Sequence, residues 1–92
     1  MTTVEVVAAG GPEGDAKCAV VLESGRDATL TLTVPFTDAA AIARGELDPS
    51  VAYMQGRLKA AGDTGALLNL LSRWESQDAG RLRDELRTMT EA

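Results

Sequence analysis

A change of residue pattern at Pro35 limits the folds that this chain can adopt. From Thr29 to Val34, threonine alternates with leucine or valine, which is the period of a β-strand with one apolar face. Pro35 cannot donate a backbone hydrogen bond to a sheet, and beyond it the apolar residues follow helical spacing. Strands followed by helices predict an α+β fold, in which helices cover one face of a small, mainly antiparallel sheet.

Further strands are predicted on either side of this one. Val4 to Ala8 is β-branched and apolar, and the turn-rich stretch Gly10 to Asp15 after it suits a hairpin loop. The apolar run Cys18 to Glu23 is dense enough to predict a strand covered on both faces, and Ser24 to Asp27 predicts another turn. Arg57 to Ala61 has the pattern of an edge strand. These four segments predict a sheet of at least four strands.

Capping residues mark the first two helices. Thr37 or Asp38 is expected to cap a helix that Gly45 ends. Asp48 followed by Pro49 predicts the start of a short second helix, because aspartate caps well and proline suits the first helical position. That helix is expected to run from Ser50 to Gln55.

Two longer helices follow in the sequence. Asp63 or Thr64 is expected to cap the first, Gly65 to Trp74, on which the apolar residues repeat at helical spacing. The second is expected from about Asp78 to Thr90, and its apolar stripe consists of Leu82, Leu86 and Met89. The charged residues around this stripe are typical of a solvated helix face.

The charge and the residue types argue against nucleic-acid binding, metal binding and catalysis. Nine lysines and arginines against fourteen aspartates and glutamates give a net charge of −5, so the chain lacks the basic surface that nucleic acid requires. Its aromatic residues are Phe36, Tyr53 and Trp74, too few to stack bases. The absence of histidine removes the commonest general base and metal ligand. We therefore expect neither an enzyme nor a metal or other cofactor.

Cys18 is the one cysteine of the chain, so no intrachain disulfide is possible, which is typical of a reducing compartment. Its apolar neighbours favour a buried, inert thiol. The N-terminus has no leader pattern, and no apolar run approaches the roughly 20 residues that span a bilayer. We expect a soluble, cytoplasmic protein that forms one domain over residues 1–92 and has no integral membrane association.

Three motifs occur together between Gly45 and Leu71. They are Gly45-Glu46-Leu47-Asp48-Pro49 before a short helix, Met54-Gln55-Gly56 before the strand Arg57-Leu58-Lys59, and Gly62-Asp63 before a leucine-rich helix. With the strand-then-helix order of Ala28 to Arg44, these motifs resemble the type-two sterol carrier protein family, a lipid-transfer domain found alone and fused to peroxisomal enzymes.

This resemblance implies a sheet of four to five strands. It also implies non-enzymatic binding, and transfer, of a fatty acyl chain, a sterol-like lipid or another apolar small molecule between the sheet and the helices. A C-terminal helix that swings about Glu75 to Gly80 would act as the lid. The implied ligand contacts are Leu32, Val34, Ile42, Val51, Met54, Gln55, Leu58, Leu67, Leu71, Leu82, Leu86 and Met89. Core filling is the alternative role for Met54, and a surface or capping role is the alternative for Gln55. Arg57 and Lys59 either meet lipid headgroups or a partner, or form the solvated face of a strand.

A second hypothesis uses the same apolar surface for assembly. Met1 stands almost at the first predicted strand, so the family's usual N-terminal helix has no counterpart in this sequence. A sheet edge or cavity wall left uncovered favours a partner. The chain would then be a ligand-free homodimer or a protein-interaction module. A stable dimer without a sizeable cavity would favour this hypothesis over lipid binding.

Overall fold

The structure is a computed structural model that describes residues 1–22, 27–77 and 79–90. Within these ranges it has four strands and four helices, in an order that confirms the predicted α+β fold. The elements are β1 (Thr2–Gly11), β2 (Gly14–Leu22), β3 (Ala28–Pro35), α1 (Phe36–Ala43), α2 (Pro49–Met54), β4 (Lys59–Gly62), α3 (Thr64–Ser72) and α4 (Gly80–Thr90).

The strands form one mixed sheet in the order β2-β1-β3-β4. β1 pairs antiparallel with β2 and parallel with β3, and β3 pairs antiparallel with β4. At the centre, Val6 of β1 lies between Cys18 of β2 and Leu32 of β3. The sheet is thus mainly antiparallel, as predicted, with one parallel pair at its centre.

One face of the sheet is buried beneath helices, and the alternation along each strand decides which residues point there. α4 packs against α1 and β2, and α3 packs against β3. The buried apolar side chains of the two central strands are Val4, Val6, Ala8, Leu30, Leu32 and Val34. The residues between them, such as Glu5, Thr29 and Thr33, face the open side of the sheet.

The prediction that β2 is covered on both faces is wrong. Val20 and Leu22 are buried, but Ala19 and Val21 on the opposite face are exposed. β2 is an edge strand, so helices cover one of its faces and water the other. Glu23 and residues 24–26 of the predicted turn lie outside the described residues.

α1 begins directly after β3, and the predicted cap by Thr37 or Asp38 is wrong. The residue before the helix is Pro35, with φ −58° and ψ 144°, and no side chain caps the first turn. Because proline fixes its own φ, the chain passes from strand to helix within one residue. Asp38 is therefore in the first turn, where its charge complements the helix dipole. The predicted end of the helix is confirmed, since Gly45 follows with φ 78°.

The start of α2 is confirmed, while β4 starts two residues later than predicted. The Asp48 side chain accepts a hydrogen bond from the Ser50 N–H at 2.8 Å, and Pro49 is the first helical residue. At the other end of α2, the N–H groups of Arg57 and Leu58 both donate to the Ala52 carbonyl. These two donors are unavailable to the sheet, so β4 begins only after them.

Asp63 caps α3, as predicted, by accepting a hydrogen bond from the Ala66 N–H at 3.0 Å. The helix ends at Ser72 rather than Trp74, because Arg73 has φ −111° and ψ 22° and leaves the helical conformation. Gly62 directly before the cap has φ 118°, and a Cβ there would overlap the Thr29 carbonyl oxygen. β4 thus reverses into α3 at a position that only glycine fits. α4 begins at Gly80, and Asp78 lies outside the described residues.

Candidate functional site

A small apolar cavity lies between the sheet and the helices. Strand residues form its floor, and residues from all four helices and from the turns after α2 and α3 complete it. All lining residues are apolar: Val6, Leu32, Val34, Ala39, Ile42, Pro49, Leu58, Leu70, Leu71, Trp74, Leu82 and Leu86. Its volume is about 20 Å³, room for about one water molecule, whereas small-molecule pockets measure about 300–1,000 Å³. The described space is therefore too small for a ligand of that kind.

Seven of the residues predicted from the sequence line this cavity together. β3 places two of them on the floor because its inward side chains lie at every second position. α1 and α4 contribute three more, and the turn before β4 and the end of α3 contribute one each. The seven residues are Leu32, Val34, Ile42, Leu58, Leu71, Leu82 and Leu86.

The other five predicted residues lie elsewhere. Leu67 is buried in the core but outside the cavity lining. Met89 is half-buried and lines a separate groove beside the β1–β2 hairpin. Val51, Met54 and Gln55 are exposed to water. α2 has only six residues and buries two of them, so most of its side chains cannot reach the cavity.

Five lining residues are absent from the predicted set: Val6, Ala39, Pro49, Leu70 and Trp74. Leu70 and Trp74 belong to the same apolar stripe as Leu71, so the helical pattern contains a signal for them. Val6 lies in a predicted strand, but its place at the centre of the sheet depends on strand order, which local pattern does not determine.

The separate groove beside the hairpin is larger, about 440 Å³, and is chemically different. Phe36 and Met89 form its apolar part, and the exposed residues Glu13 and Asp15 also line it. The Asp15 carboxylate accepts a hydrogen bond from the Gly10 N–H at 3.0 Å, so it stabilises the hairpin. This groove differs in place and in polarity from the cavity implied by the sequence.

One guanidinium group holds α4 against the end of α3. Arg83 Nη1 donates to the carbonyl oxygen of Trp74 and, at 3.0 Å, to that of Ser76. Ala79, between these helices, is buried. Because Trp74 lines the cavity, this pair of hydrogen bonds fixes the beginning of α4 next to one end of the cavity.

Cys18 carries a thiol, which acts as a nucleophile when it is deprotonated. The surroundings of Cys18 favour the neutral thiol. It is half-buried on the covered face of β2. Burial raises the pKa of the Cys18 thiol, the Glu85 carboxylate on α4 raises it further, and a hydrogen bond with the Val6 backbone opposes them. A thiol with a raised pKa is a poor nucleophile near neutral pH.

In the described parts of the chain, the helices are too short or too polar to cross a membrane.

The profile of the SCP-2 sterol transfer family matches residues 6–72, which is most of the chain. The chain belongs to this family. Membership implies lipid binding or transfer in general, and the match covers the span from the middle of β1 to the end of α3. Two lining residues, Leu82 and Leu86, lie beyond the part matched by the SCP-2 profile. No curated protein and no solved structure matches the chain.

Proposed function

We propose that this SCP-2 family member is a non-enzymatic carrier of an apolar small molecule, such as a fatty acyl chain or a sterol-like lipid. The observation that supports the proposal is the cavity between sheet and helices, whose lining is entirely apolar. Ligand pockets are mostly apolar and are found at such interfaces between secondary-structure layers. We restrict the proposed contacts to the seven predicted residues that line the cavity. We also propose a cytoplasmic location, because a chain with a single cysteine, which cannot form an intrachain disulfide, is typical of a reducing compartment. Cell fractionation tests this location.

A ligand of this size requires the cavity to widen, and α4 is the element that we propose moves. Its buried side chains Leu82 and Leu86 cover the cavity, and its other face is charged. Exposing two leucines costs about 3–6 kcal/mol. Breaking the hydrogen bonds of Arg83 Nη1 to two carbonyls adds at least about 1.5–3 kcal/mol, the net contribution of one hydrogen bond from a charged donor. An acyl chain beneath the helix would offset the cost of exposing the two leucines, because it covers the same side chains.

Titration with a fluorescent fatty acid tests the carrier function. The intact chain is expected to bind saturably, and native mass spectrometry of protein purified from cells is expected to detect a co-purified lipid. Leu71→Gln places an amide against the apolar lining and should weaken binding at least about fivefold, since an unpaired buried amide costs about 1–3 kcal/mol. Leu68→Gln is the matched control, because Leu68 is one turn away and exposed.

Absence of both co-purified lipid and saturable binding would refute the carrier function. If the same protein were a stable dimer in sedimentation experiments, the apolar surface would serve assembly instead.

Lid movement has its own test. Arg83→Gln should accelerate fatty-acid uptake in stopped-flow measurements, whereas Arg81→Gln, on the exposed side of α4, should not.

A further inference from the structure

A third space, beside α3, is partly lined by polar side chains. Strands β1 and β2, helix α3 and the turn before α4 all contribute to it. Its inner wall is buried and mainly apolar, whereas Asn69 and Arg73 at its rim are exposed to water. Its volume is about 20 Å³, room for about one water molecule. We call this space the Arg73 cleft, and its lining residues are Thr2, Leu22, Ala66, Asn69, Leu70, Arg73, Ser76 and Ala79.

The Arg73 cleft adjoins the apolar cavity between the sheet and the helices. Leu70 lines both spaces and is 4% exposed, so its side chain stands between them. Asn69 and Arg73 are four positions apart, which places them on one side of α3 and its last turn. Leu71 and Trp74 lie on the adjoining side and line the cavity. The apolar cavity thus has a polar neighbour one side chain away.

Charge gives the Arg73 cleft its chemical preference. Among the described residues that line either space, Arg73 is the one charged residue. Its guanidinium has five donors in a planar fork that matches a carboxylate, and the Asn69 amide is a further donor. Arg83 donates to the Ser76 carbonyl at 3.0 Å and brings a second positive charge to the same turn. Glu75 in this turn is exposed and is not a lining residue, so the cleft favours a small anionic group.

Backbone hydrogen bonds position the rim of the cleft. The N–H and the hydroxyl of Ser76 donate to the Arg73 carbonyl at 2.9 and 2.6 Å. The Arg73 N–H donates to the carbonyls of Asn69 and Leu70, both at 3.1 Å. The backbone that carries the two donor side chains is therefore in place before a ligand arrives, which lowers the entropic cost of binding.

We propose that the Arg73 cleft binds the carboxylate of a free fatty acid whose chain occupies the widened cavity, an inference that rests on the carrier function proposed above. The Arg73 guanidinium pairs with the carboxylate, and the Asn69 amide donates to it. The chain then passes Leu70 and lies against the apolar lining. The cavity itself cannot hold the ionised group, because a buried charge without a partner is very costly.

The Arg73 cleft also distinguishes between classes of lipid. The polar group of a sterol is one neutral hydroxyl, which does not use the guanidinium charge. The headgroup of a phospholipid is much larger than a space of about 20 Å³, whereas a carboxylate has only two oxygens. An ionised fatty acid with a single chain therefore matches both the charge and the size of the cleft.

Two ligands that differ only in their polar group test the proposal. Lauric acid and lauryl alcohol have the same alkyl chain, and the intact protein is titrated with each under mildly alkaline conditions, in which the acid is ionised. Trp74 lines the cavity, so its fluorescence reports occupation of the cavity in both titrations. Arg73→Gln should weaken binding of lauric acid about tenfold, through loss of a hydrogen bond from a charged donor. Its affinity for lauryl alcohol should be unchanged.

Further variants separate the guanidinium from net charge. Arg57→Gln also removes one cation, but Arg57 lies 3.9 Å from Asp38 and outside the cleft lining, so both affinities should be unchanged. Arg73→Lys retains the charge without the fork and should recover part of the lost affinity. Asn69→Ala should weaken binding of lauric acid alone, by about threefold, because it removes a neutral donor. Circular dichroism of each variant checks that the fold is retained.

The outcomes separate the carboxylate site from the carrier function. Equal losses for the acid and the alcohol in Arg73→Gln, or no loss for either, would overturn the carboxylate site and leave the carrier function standing. An equal loss of acid affinity in Arg57→Gln would also overturn the site, because net charge would then explain the effect. Failure of the intact chain to bind either ligand saturably would refute the carrier function and this site with it. Losses confined to the acid, in the Arg73 and Asn69 variants, would support both.

Discussion

Leu82→Ala tests whether α4 closes the cavity as the structure describes. Leu82 is 0% exposed and lines the cavity on the inner face of α4. Truncation of a buried leucine costs about 2–5 kcal/mol, from lost transfer energy and from the space left behind. The site already has about 20 Å³ of empty volume, which adds to that space. We therefore expect a loss of about 3–4 kcal/mol.

This loss is large compared with the stability of a small domain. At about 0.05–0.15 kcal/mol per residue, a chain of this length has a total stability of about 5–14 kcal/mol. Each kcal/mol shifts the melting temperature by about 4–8 °C in a domain of this size, so Tm should fall by at least about 12 °C. The enlarged apolar cavity is also expected to bind a small aromatic molecule such as benzene.

Urea unfolding followed by tryptophan fluorescence is the assay. Trp74 is the single tryptophan of the chain, is buried, and lines the same cavity. Leu68→Ala is the matched control, since it makes the same chemical change at an exposed site and should cost less than about 0.5 kcal/mol. If Leu82→Ala cost no more than Leu68→Ala, α4 would not cover the sheet in this way. The lid proposal would then be refuted as well.

Three further substitutions test the backbone, a cap and the thiol. Gly62→Ala should destabilise the protein by about 2–4 kcal/mol in urea unfolding, because a Cβ there combines a strained φ with overlap of a backbone carbonyl. Asp63→Ala should cost about 1 kcal/mol in the same assay, because α3 loses its N-cap. Glu85→Gln should accelerate alkylation of Cys18 by iodoacetamide at neutral pH. The Glu85 charge raises the pKa of the thiol, so its removal lowers that pKa and increases the thiolate fraction.

Each of these substitutions has a control in the same chain. Gly10 also has a positive φ, of 74°, but open space around it, so Gly10→Ala should cost clearly less than Gly62→Ala. Asp63→Asn retains a capping oxygen and should be nearly neutral. Asp84→Asn should leave alkylation of Cys18 unchanged, since Asp84 does not contribute to the raised pKa. Equal rates for Glu85→Gln and wild type would contradict the electrostatic argument.

The sequence alone determined the local elements whose signals are short-range. The alternation from Thr29 to Val34 identified β3 and its buried face, because side chains on a strand alternate regardless of what covers them. Asp48 and Asp63 identified two helix starts, because a cap depends only on a side chain and the next turn of backbone. The family motifs combine such short-range capping and turn signals in a fixed order. They therefore identified the fold and the general function as well.

Only the tertiary structure decided which of the apolar residues meet. β1 lies at the centre of the sheet, parallel to β3, and this non-local pairing brings Val6 to the cavity floor. Met54 has the same apolar character as the lining residues, yet it is 83% exposed, because packing buries other residues of the short helix α2. Periodicity determines which face of an element is apolar, whereas burial depends on the neighbours that the fold supplies. The change at Pro35 therefore fixed the class of fold, and the packing of the helices on the sheet decided how little space remains between them.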